Sequence, residues 1–444
     1  MEFEKILADW LPRQRWFAGK GSAVRDLAVE ADTGIGSGEP AMRHLIVTVS
    51  HGATADHYQV PVGLRESLPG WLEHAAIGVT GGLHAYDALH DPGLTRRLIR
   101  SIAGNHGTGP LRFRRIPGAP IETDLDSLVL TAEQSNTSLV FGESSILKVF
   151  RRISPGPNPD LEVTTALASM GSPHVAEPFG WAETRMDGAS TILAILSRYL
   201  RAAADGWSLA ATSVRDLYAS EPASASEAGG DFAGEARRLG AATAQVHRDL
   251  AEAFGADELS PGAVHDLAEQ MFRRLDLAVA AVPELARHAE MIGAAYSRLV
   301  KLTEPVPAQR VHGDYHLGQA MRTQTGWVLL DFEGEPARPL AERRARSSPL
   351  RDVAGMLRSF DYAARHQLLC HHDSERLAVT ARDWIRRNSA AFCAGYAEAG
   401  GADPARNDVL LRALQFDKAV YEVMYEARHR PSWLPIPLES LADF

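Results

Sequence analysis

The sequence has few of the features that mark secreted, membrane-spanning or nucleic-acid-binding proteins. Only two cysteines occur in 444 residues, which excludes a disulfide framework and indicates a reducing compartment. The formal net charge of −10 argues against a general nucleic-acid-binding surface. The chain lacks apolar runs of about 18 residues, and its first residues do not have the pattern of a secretory signal. We therefore expect a cytoplasmic protein that binds neither nucleic acid nor membrane.

The order of predicted elements indicates an α+β protein. Two β-rich runs, 45–49 and 58–62, flank a turn at Gly52-Ala53 and predict a hairpin. Short strands at 128–130, 138–141, 146–150 and 191–196 follow, with a helix at 159–170. Beyond residue 205 the apolar residues recur at the helical period, which predicts helices at 262–280, 286–302, 352–366, 376–398 and 407–428. The predicted domains are 1–100, 101–200 and 201–444.

One motif suits phosphoryl transfer. It consists of Val311-His312-Gly313-Asp314-Tyr315-His316, followed by Gln319 and the later Asp331-Phe332-Glu333. That reaction needs a carboxylate that accepts the hydroxyl proton and oxygen ligands that hold Mg²⁺ on the phosphates. The spacing of Asp314, Gln319 and Asp331 is typical of protein kinases. We predict Asp314 as the catalytic base, and Gln319 and Asp331 as magnesium ligands. The alternative is a turn with ordinary surface acids.

A second predicted site would hold the nucleotide phosphates. Lys148 interrupts an apolar strand, and a half-buried lysine requires a partner. Glu162, 14 residues later on the predicted helix, is the predicted partner, and the pair would hold the α/β-phosphates. A snorkelling edge-strand lysine is the alternative. The polar segment from Gln134 through Ser135, Asn136, Thr137 and Ser138 is predicted to cover the phosphates; a plain hairpin turn is its alternative.

Nearly the whole chain resembles actinobacterial maltokinases, within the aminoglycoside-phosphotransferase-like kinase superfamily. The resemblance is carried by segments such as Arg13-Gln14-Arg15-Trp16-Phe17 and Asp417-Lys418-Ala419-Val420-Tyr421-Glu422, and by 133–138, 146–152, 158–162, 312–319, 331–336, 350–355 and 428–437. It implies a bilobal protein-kinase-like fold with an N-terminal mixed α/β cap domain, a β-rich small lobe and a mostly helical C-terminal lobe.

The resemblance also implies an activity. It implies a phosphotransferase that uses ATP and Mg²⁺ to phosphorylate maltose at the anomeric hydroxyl, giving maltose 1-phosphate for α-glucan and glycogen synthesis. By chain order, Ser197, Tyr199 and Leu200 would contact the adenine. The protein is expected to be a monomer or a weak homodimer. Arg13, Arg15 and Trp16 fit packing between the cap and the small lobe, or else a second site.

The predicted helix from Asp417 to Arg430 carries polar and aromatic residues at helical spacing. Sugars bind to aromatic faces and to carboxylates that pair with hydroxyls. The predicted acceptor residues are Glu333, Lys418, Tyr421, Glu422, Tyr425, Glu426, Arg430 and Trp433. Packing of this face in the helical core is the alternative.

Two departures from the maltokinase pattern leave the acceptor sugar open. Tyr315 replaces an expected Leu, and Gln415 replaces an expected acid. Glucosamine kinase on the same scaffold is therefore an alternative function. An aminoglycoside phosphotransferase and a catalytically dead kinase-like binding protein are further alternatives, although the intact Asp314, Gln319, Asp331 and Lys148 argue against the last.

Overall fold

A computed structural model describes residues 2–19, 24–51, 54–130, 135–220, 224–227, 230–336, 338–369, 371 and 373–444. The predicted turn at Gly52-Ala53 and the predicted phosphate contact at Gln134 lie outside these residues. The chain divides into two compact units. The first comprises Met1–Thr165 and Ala176–Arg201, and the second comprises Ala166–Val175 and Ala202–Phe444.

The first unit is rich in antiparallel strands. In chain order they are β1 (Val24–Gly34), β2 (Ala41–His51), β3 (Thr54–Arg65), β4 (Ala76–Thr80), β5 (Leu83–Asp87), β6 (Gly107–Thr108), β7 (Leu111–Arg115), β8 (Ser127–Val129), β9 (Asn136–Phe141), β10 (Ser145–Phe150), β11 (Arg152–Ile153), β12 (Pro178–Met186) and β13 (Ala189–Arg198). The helices among the first 169 residues are α1 (Glu2–Trp10), α2 (Pro92–Ala103) and α3 (Pro159–Ser169).

These strands form two sheets. The first has the order β1-β2-β3-β5-β4, with β11 also paired to β3, and the second has the order β6-β7-β12-β13-β10-β9-β8. In the β2–β3 pair, Leu45 lies opposite Val60 and Val47 opposite Tyr58, so the predicted hairpin strands are confirmed. The core residues of both strands are almost fully buried, as expected for β-branched and aromatic side chains on the inner face of a sheet.

The second unit is mostly helical. Its helices are α4 (Gly206–Ala219), α5 (Ala233–Phe254), α6 (Pro261–Ala281), α7 (Ala289–Val300), α8 (Leu340–Arg343), α9 (Leu350–Leu368), α10 (Ser374–Glu398), α11 (Asp408–His429) and α12 (Pro435–Ser440). Its short strands are β14 (Ala204–Asp205), β15 (Ala256–Leu259), β16 (Val306–Gln309), β17 (Ala320–Arg322) and β18 (Trp327–Leu329). They pair in the orders β14-β17-β18 and β15-β16.

Helix α9 runs through the core of this unit, and most of its residues are buried. A Cβ atom at Gly355 would lie 2.5 Å from the backbone oxygen of Tyr315. Only glycine permits so close an approach of a helix to another backbone segment. Helix α9 therefore contacts the loop that carries the predicted catalytic residue.

The predicted fold class is confirmed: strands dominate the N-terminal part and helices the C-terminal part of this kinase-like α+β chain. The five helices predicted beyond residue 260 correspond to α6, α7, α9, α10 and α11. Among the described residues, none of the helices combines the length and the apolar character that a membrane crossing requires. The domain boundaries at 100 and 200 stay predictions.

Candidate active site

Asp314, the predicted catalytic base, lies in the loop between β16 and β17. The backbone N–H of His312 donates to Asp352 Oδ2 at 2.7 Å, and that of Gly313 donates to Asp352 Oδ1 at 2.9 Å. His312 Nε2 donates to the carbonyl oxygen of Leu330 at 2.8 Å. Gly313 has a φ of +84°, which glycine adopts without steric cost. These bonds fix the backbone immediately before Asp314.

Asp352 is held in turn by a buried chain of hydrogen bonds. His247 Nε2 donates to Asp352 Oδ2 at 3.0 Å, and the hydroxyl of Tyr396 donates to His247 Nδ1 at 2.8 Å. Burial alone would raise the pKa of Asp352, but its interaction with His247, followed by smaller contributions from His312 and the N–H of Gly313, brings the pKa below its ordinary value. Asp352 is therefore a carboxylate at neutral pH and accepts both loop N–H groups.

Asp314 also contacts a cation from α11. Lys418 Nζ lies 3.4 Å from Asp314 Oδ1, and the side chains of Lys418 and Asp314 are 30% and 27% exposed. The Lys418 ammonium lies 5.0 Å from the ring centre of Tyr421. The structure therefore brings Lys418 and Tyr421, two predicted acceptor residues, close to the predicted base, which remains accessible to a substrate.

The two predicted magnesium ligands also meet. Gln319 Nε2 donates to Asp331 Oδ2 at 3.1 Å, and the N–H of Leu330 donates to the backbone oxygen of Gln319 at 2.9 Å. Asp331 has a φ of +65°, which is uncommon outside glycine and often marks a functional position. One amide oxygen and one carboxylate are donors that Mg²⁺ accepts, because it takes its remaining ligands from phosphates and water.

A polar pocket opens beside Asp314 and lies entirely within the second unit. Side chains of α6, α9 and α11 and of the segment after Asp331 line it; they include Gln270, Arg274, Glu335, Arg338, Arg351, Asp417, Lys418 and Tyr421. The lining thus combines acidic and basic side chains with the aromatic ring of Tyr421. Such a lining suits a small acceptor that carries many hydroxyl groups.

Two carboxylates of this pocket were not among the predicted site residues. Arg274 Nε donates to Asp417 Oδ1 at 2.8 Å, and Arg338 Nε donates to Glu335 Oε2 at 2.8 Å. Burial raises the pKa of Asp417, and the charge of Arg274 offsets this only in part. Burial, followed by the Glu335 carboxylate, raises the pKa of Tyr421. Both acids are neighbours in sequence of predicted residues, so the motifs 331–336 and 417–422 already pointed to them.

Glu422 and Glu426, two predicted acceptor residues, are not in this pocket. Arg358 donates to Glu422 Oε2 through Nε at 2.9 Å and through Nη2 at 2.7 Å. Glu426 is 1% exposed and accepts from Tyr362 at 3.2 Å. With about 3.6 residues per turn, these two positions lie on the flank of α11 that faces α9. Glu422 and Glu426 are therefore buried among polar partners in the helical core.

Tyr425, Arg430 and Trp433 form a cluster at the C-terminal end of α11. Tyr425 stacks on Tyr421 with ring centres 6.1 Å apart, and the Arg430 guanidinium lies 4.3 Å from the ring centre of Trp433. Arg430 also donates to Glu426 at 2.7 Å. Tyr425 thus contacts a residue of the pocket, Tyr421, directly.

Glu333 is half-buried, and its backbone oxygen accepts from Arg343 at 3.3 Å. Its predicted acceptor role stays a prediction. Of the two departures from the maltokinase pattern, Tyr315 has a buried side chain whose hydroxyl donates to Thr243 at 2.8 Å. Gln415 lines a different pocket, between α9, α10 and α11. Tyr315 is among the residues that line the pocket beside Asp314, whereas Gln415 is not.

The predicted nucleotide residues lie in the first unit. Lys148 Nζ donates to Asp160 Oδ2 at 3.1 Å, and the two side chains are 17% and 9% exposed. The strand lysine thus has an acidic partner in the first turn of α3, but that partner is Asp160, two residues before the predicted Glu162. Glu162 is half-buried in the same turn, and its pairing with Lys148 stays a prediction.

The predicted phosphate-covering residues divide into two groups. Ser135 is exposed and Asn136 half-buried, whereas Thr137 and Ser138 are buried in β9. Ser197 and the following Tyr199 and Leu200 are half-buried at the end of β13, just before the first unit ends at Arg201. Their contacts with a nucleotide stay predictions.

Comparison with known proteins places this site in context. Residues 10–91 match the family model of the maltokinase N-terminal cap domain. A glucosamine kinase from Streptacidiphilus jiangxiensis is 30% identical over 373 residues, which cover 79% of this chain and 81% of the relative. A glucosamine kinase from Mycolicibacterium smegmatis is 28% identical over 358 residues, covering 78% and 86%. A solved glucosamine kinase in complex with glucosamine, ADP and inorganic phosphate has a TM-score of 0.69 at 26% identity, covering 99% of this chain and 98% of that chain.

These comparisons correct the predicted acceptor. Both curated relatives and the solved structure are glucosamine kinases, so the prediction of a maltokinase that makes maltose 1-phosphate for glycogen synthesis is wrong. The segment 13–19, which carried part of the maltokinase resemblance, lies inside the matching cap domain and contributes nothing to the acceptor pocket. The broader prediction of a phosphotransferase with an alcohol group as acceptor is confirmed.

Proposed function

The chain belongs to the glucosamine kinase family, and on that premise we propose that it transfers the γ-phosphoryl group of ATP to a hydroxyl of glucosamine. The solved relative holds glucosamine together with ADP and inorganic phosphate. ADP is what remains of ATP once its γ-phosphoryl group has left, so the same nucleotide is proposed for this chain.

One observation carries the proposal. Asp314 lines a polar pocket together with three further acids, Glu335, Asp352 and Asp417, which come from separate segments of the chain. Glucosamine has hydroxyl groups to satisfy and an amine that is largely protonated near neutral pH, so it requires carboxylates. Tyr421 adds the flat aromatic face on which a sugar ring packs.

Asp314 is the proposed base. The acceptor hydroxyl would donate its proton to the Asp314 carboxylate as its oxygen attacks the γ-phosphorus, and the bond to the ADP oxygen would break. The buried Asp352 holds the loop N–H groups that precede Asp314. Lys418, 3.4 Å from Asp314, would orient the carboxylate toward the acceptor. Preorganisation of this kind avoids rearrangement during the reaction.

Magnesium is the proposed metal, and the residues present fit it. Asp331 supplies a charged oxygen and Gln319 a neutral one, and a hydrogen bond holds the two side chains together. When bound, Mg²⁺ would neutralise charge on the nucleotide phosphates. In the first unit, the ammonium of Lys148, oriented by Asp160, is proposed to bind the α/β-phosphates.

Initial rates of ADP release with Mg²⁺-ATP test the acceptor. We expect turnover with glucosamine and much weaker turnover with N-acetylglucosamine, which has the same ring but no basic amine. Maltose, glucose and kanamycin complete the set. Equal kcat/KM for glucosamine and glucose would contradict an acceptor site built for an amine.

The Asp314→Asn variant tests the base. It keeps the shape of the side chain but removes the proton acceptor, so kcat should fall by about 10²–10⁴-fold. Asp257→Asn is the matched control, because Asp257 is 71% exposed on β15 and outside the pocket. If Asp314→Asn keeps the parental kcat, Asp314 is not the base.

A further inference from the structure

A buried arginine links two parts of the first unit. Arg151 directly follows β10, the strand that carries Lys148, and its side chain is 1% exposed. Arg151 Nε donates to Thr137 Oγ1 at 2.8 Å, and Arg151 Nη2 donates to Asp87 Oδ2 at 2.5 Å. The guanidinium carbon also lies 4.8 Å from the ring centre of Trp16. The guanidinium is thus held on three sides.

Two of these three partners belong to the cap domain, residues 10–91, and both are fixed. Asp87 ends β5, and its other carboxylate oxygen accepts from the N–H of Leu89 at 3.1 Å. Trp16 packs between Trp10 and Tyr58, with ring centres 5.7 Å and 5.9 Å away. Trp16, for which the sequence suggested packing between the cap and the small lobe, therefore helps to surround the Arg151 guanidinium.

The third partner belongs to the predicted phosphate-covering segment. Thr137 is the second residue of β9, lies opposite Val149 of β10 and is 7% exposed. Ser135 and Asn136, the predicted nucleotide contacts, come immediately before it. A hydrogen bond to the Thr137 side chain therefore acts at the point where the segment joins the sheet.

We propose that Arg151 is a positioning residue, through which the cap domain sets the conformation of residues 135–137 and thereby the affinity for the nucleotide. The inference rests on the proposed function, since it requires nucleotide binding at this segment. The guanidinium is planar, and its donors point in fixed directions. It therefore holds Thr137 at a set distance from Asp87, which a lysine at position 151 could not do.

The test measures the Kd of a non-hydrolysable ATP analogue with Mg²⁺ by calorimetry on the full chain. Thr137→Val keeps the shape of the side chain and removes the oxygen that Arg151 contacts. We expect its Kd to rise about tenfold, the loss typical of one hydrogen bond to a charged group. Thr137→Ser keeps the hydroxyl and should restore the parental Kd. In the kinetic assay, Thr137→Val should raise the KM for ATP but leave the KM for glucosamine unchanged.

Arg151→Lys and Arg65→Lys form a matched pair. Arg65 donates to Asp91 at 2.6 Å and to the hydroxyl of Tyr86 at 2.9 Å within the same cap domain; within the described part of the chain these bonds do not involve β9. We expect both variants to lower the melting temperature, whereas only Arg151→Lys should raise the nucleotide Kd. Asp87→Asn is a second route to the same result if Arg151→Lys does not fold.

Three results would overturn the inference. The first is an unchanged Kd in Thr137→Val. The second is an equal rise in Kd in Arg65→Lys, which would mean that any weakening of the cap has the same effect. The third is failure of the parental chain to bind the analogue, which alone would also remove the proposed function. If the parental chain binds the analogue and Thr137→Val has the same Kd, only the role of Arg151 is removed and the proposed function stands.

Discussion

Replacing Glu422 with glutamine should destabilise the helical unit without weakening acceptor binding. Glu422 accepts two hydrogen bonds from Arg358, and the two side chains are 11% and 3% exposed. Arg358 also pairs with Asp361, at 3.0 Å, and Asp361 accepts from Arg365 at 2.8 Å. Glutamine keeps an oxygen acceptor but removes the charge, so the buried Arg358 would be left with Asp361, a carboxylate that also pairs with Arg365. Arg365 itself keeps a further partner in Asp443.

The expected magnitude follows from that geometry. Breaking a buried ion pair by removing one charge costs about 3–5 kcal/mol. The retained amide oxygen still accepts one bond from Arg358, so we expect a loss of about 3 kcal/mol in the free energy of unfolding. For a unit of this size, each kcal/mol lowers the melting temperature by about 2–4 °C, which gives a decrease of roughly 6–12 °C.

Thermal and urea unfolding followed by circular dichroism measure the loss, and initial rates give the KM for glucosamine. Glu398→Gln is the matched control, since Glu398 is 56% exposed on α10 and pairs with Arg237 at the surface; its effect should be under about 1 kcal/mol. Lys418→Met should show the reverse pattern, with impaired catalysis and little loss of stability. A stable Glu422→Gln variant with a strongly raised KM would refute the reasoning and return Glu422 to the acceptor site.

Two further predictions concern the cap and the metal. Burial lowers the pKa of His44 below 6.5, and the hydrogen bond to Gln59 only partly offsets this. The contribution of neutral His44 to the free energy of unfolding is therefore complete above pH 6.5 and is lost as the pH falls through the lowered pKa. His44→Gln should accordingly show a smaller drop in melting temperature than the parent between about pH 7.5 and pH 5, with the exposed His106→Gln as control; equal drops in all three proteins would contradict this. Asp331→Asn and Gln319→Leu should both raise the Mg²⁺ concentration that gives half-maximal rate, Asp331→Asn more strongly because it removes a charge; an unchanged Mg²⁺ dependence would exclude both as ligands.

Much of the fold was predictable because its signals are local. The apolar residues of α9, α10 and α11 recur at the helical period over long segments, and β2 and β3 have dense runs of β-branched residues. The contact between Gln319 and Asp331 was equally accessible, since the two residues are 12 positions apart and flank the paired strands β17 and β18. The roles of these two residues as metal ligands and of Asp314 as the base stay predictions.

The partners of charged residues were harder to predict. Asp160 and Glu162 both lie in the first turn of α3, and a single sequence did not single out Asp160 as a partner of Lys148. Arg274 and Arg351 reach the acceptor pocket only because α6 and α9 pack beside α11. Charged residues on amphipathic helices usually face solvent, so neither arginine gave a signal of its own.

On α11, too, the sequence did not predict which charged residues are buried. Lys418, Tyr421, Glu422 and Glu426 all fit one broad polar stripe at helical spacing. The stripe is wide enough to be divided between the pocket and the core. Arg358 of α9 bonds Glu422, and Tyr362 of α9 bonds Glu426, so both glutamates turn inward. Each partner is 64 positions away in sequence, beyond the reach of a local pattern.

The residues that line the acceptor pocket all come from the second unit, between Leu267 and Tyr421, whereas Lys148 and its neighbours precede residue 202. Under the proposed roles, the residues that would select the sugar are therefore encoded apart from Lys148, whereas the proposed magnesium ligands Gln319 and Asp331 share their stretch of the gene. Mutations that change the choice of sugar need not alter Lys148, but they fall close in sequence to the proposed metal site.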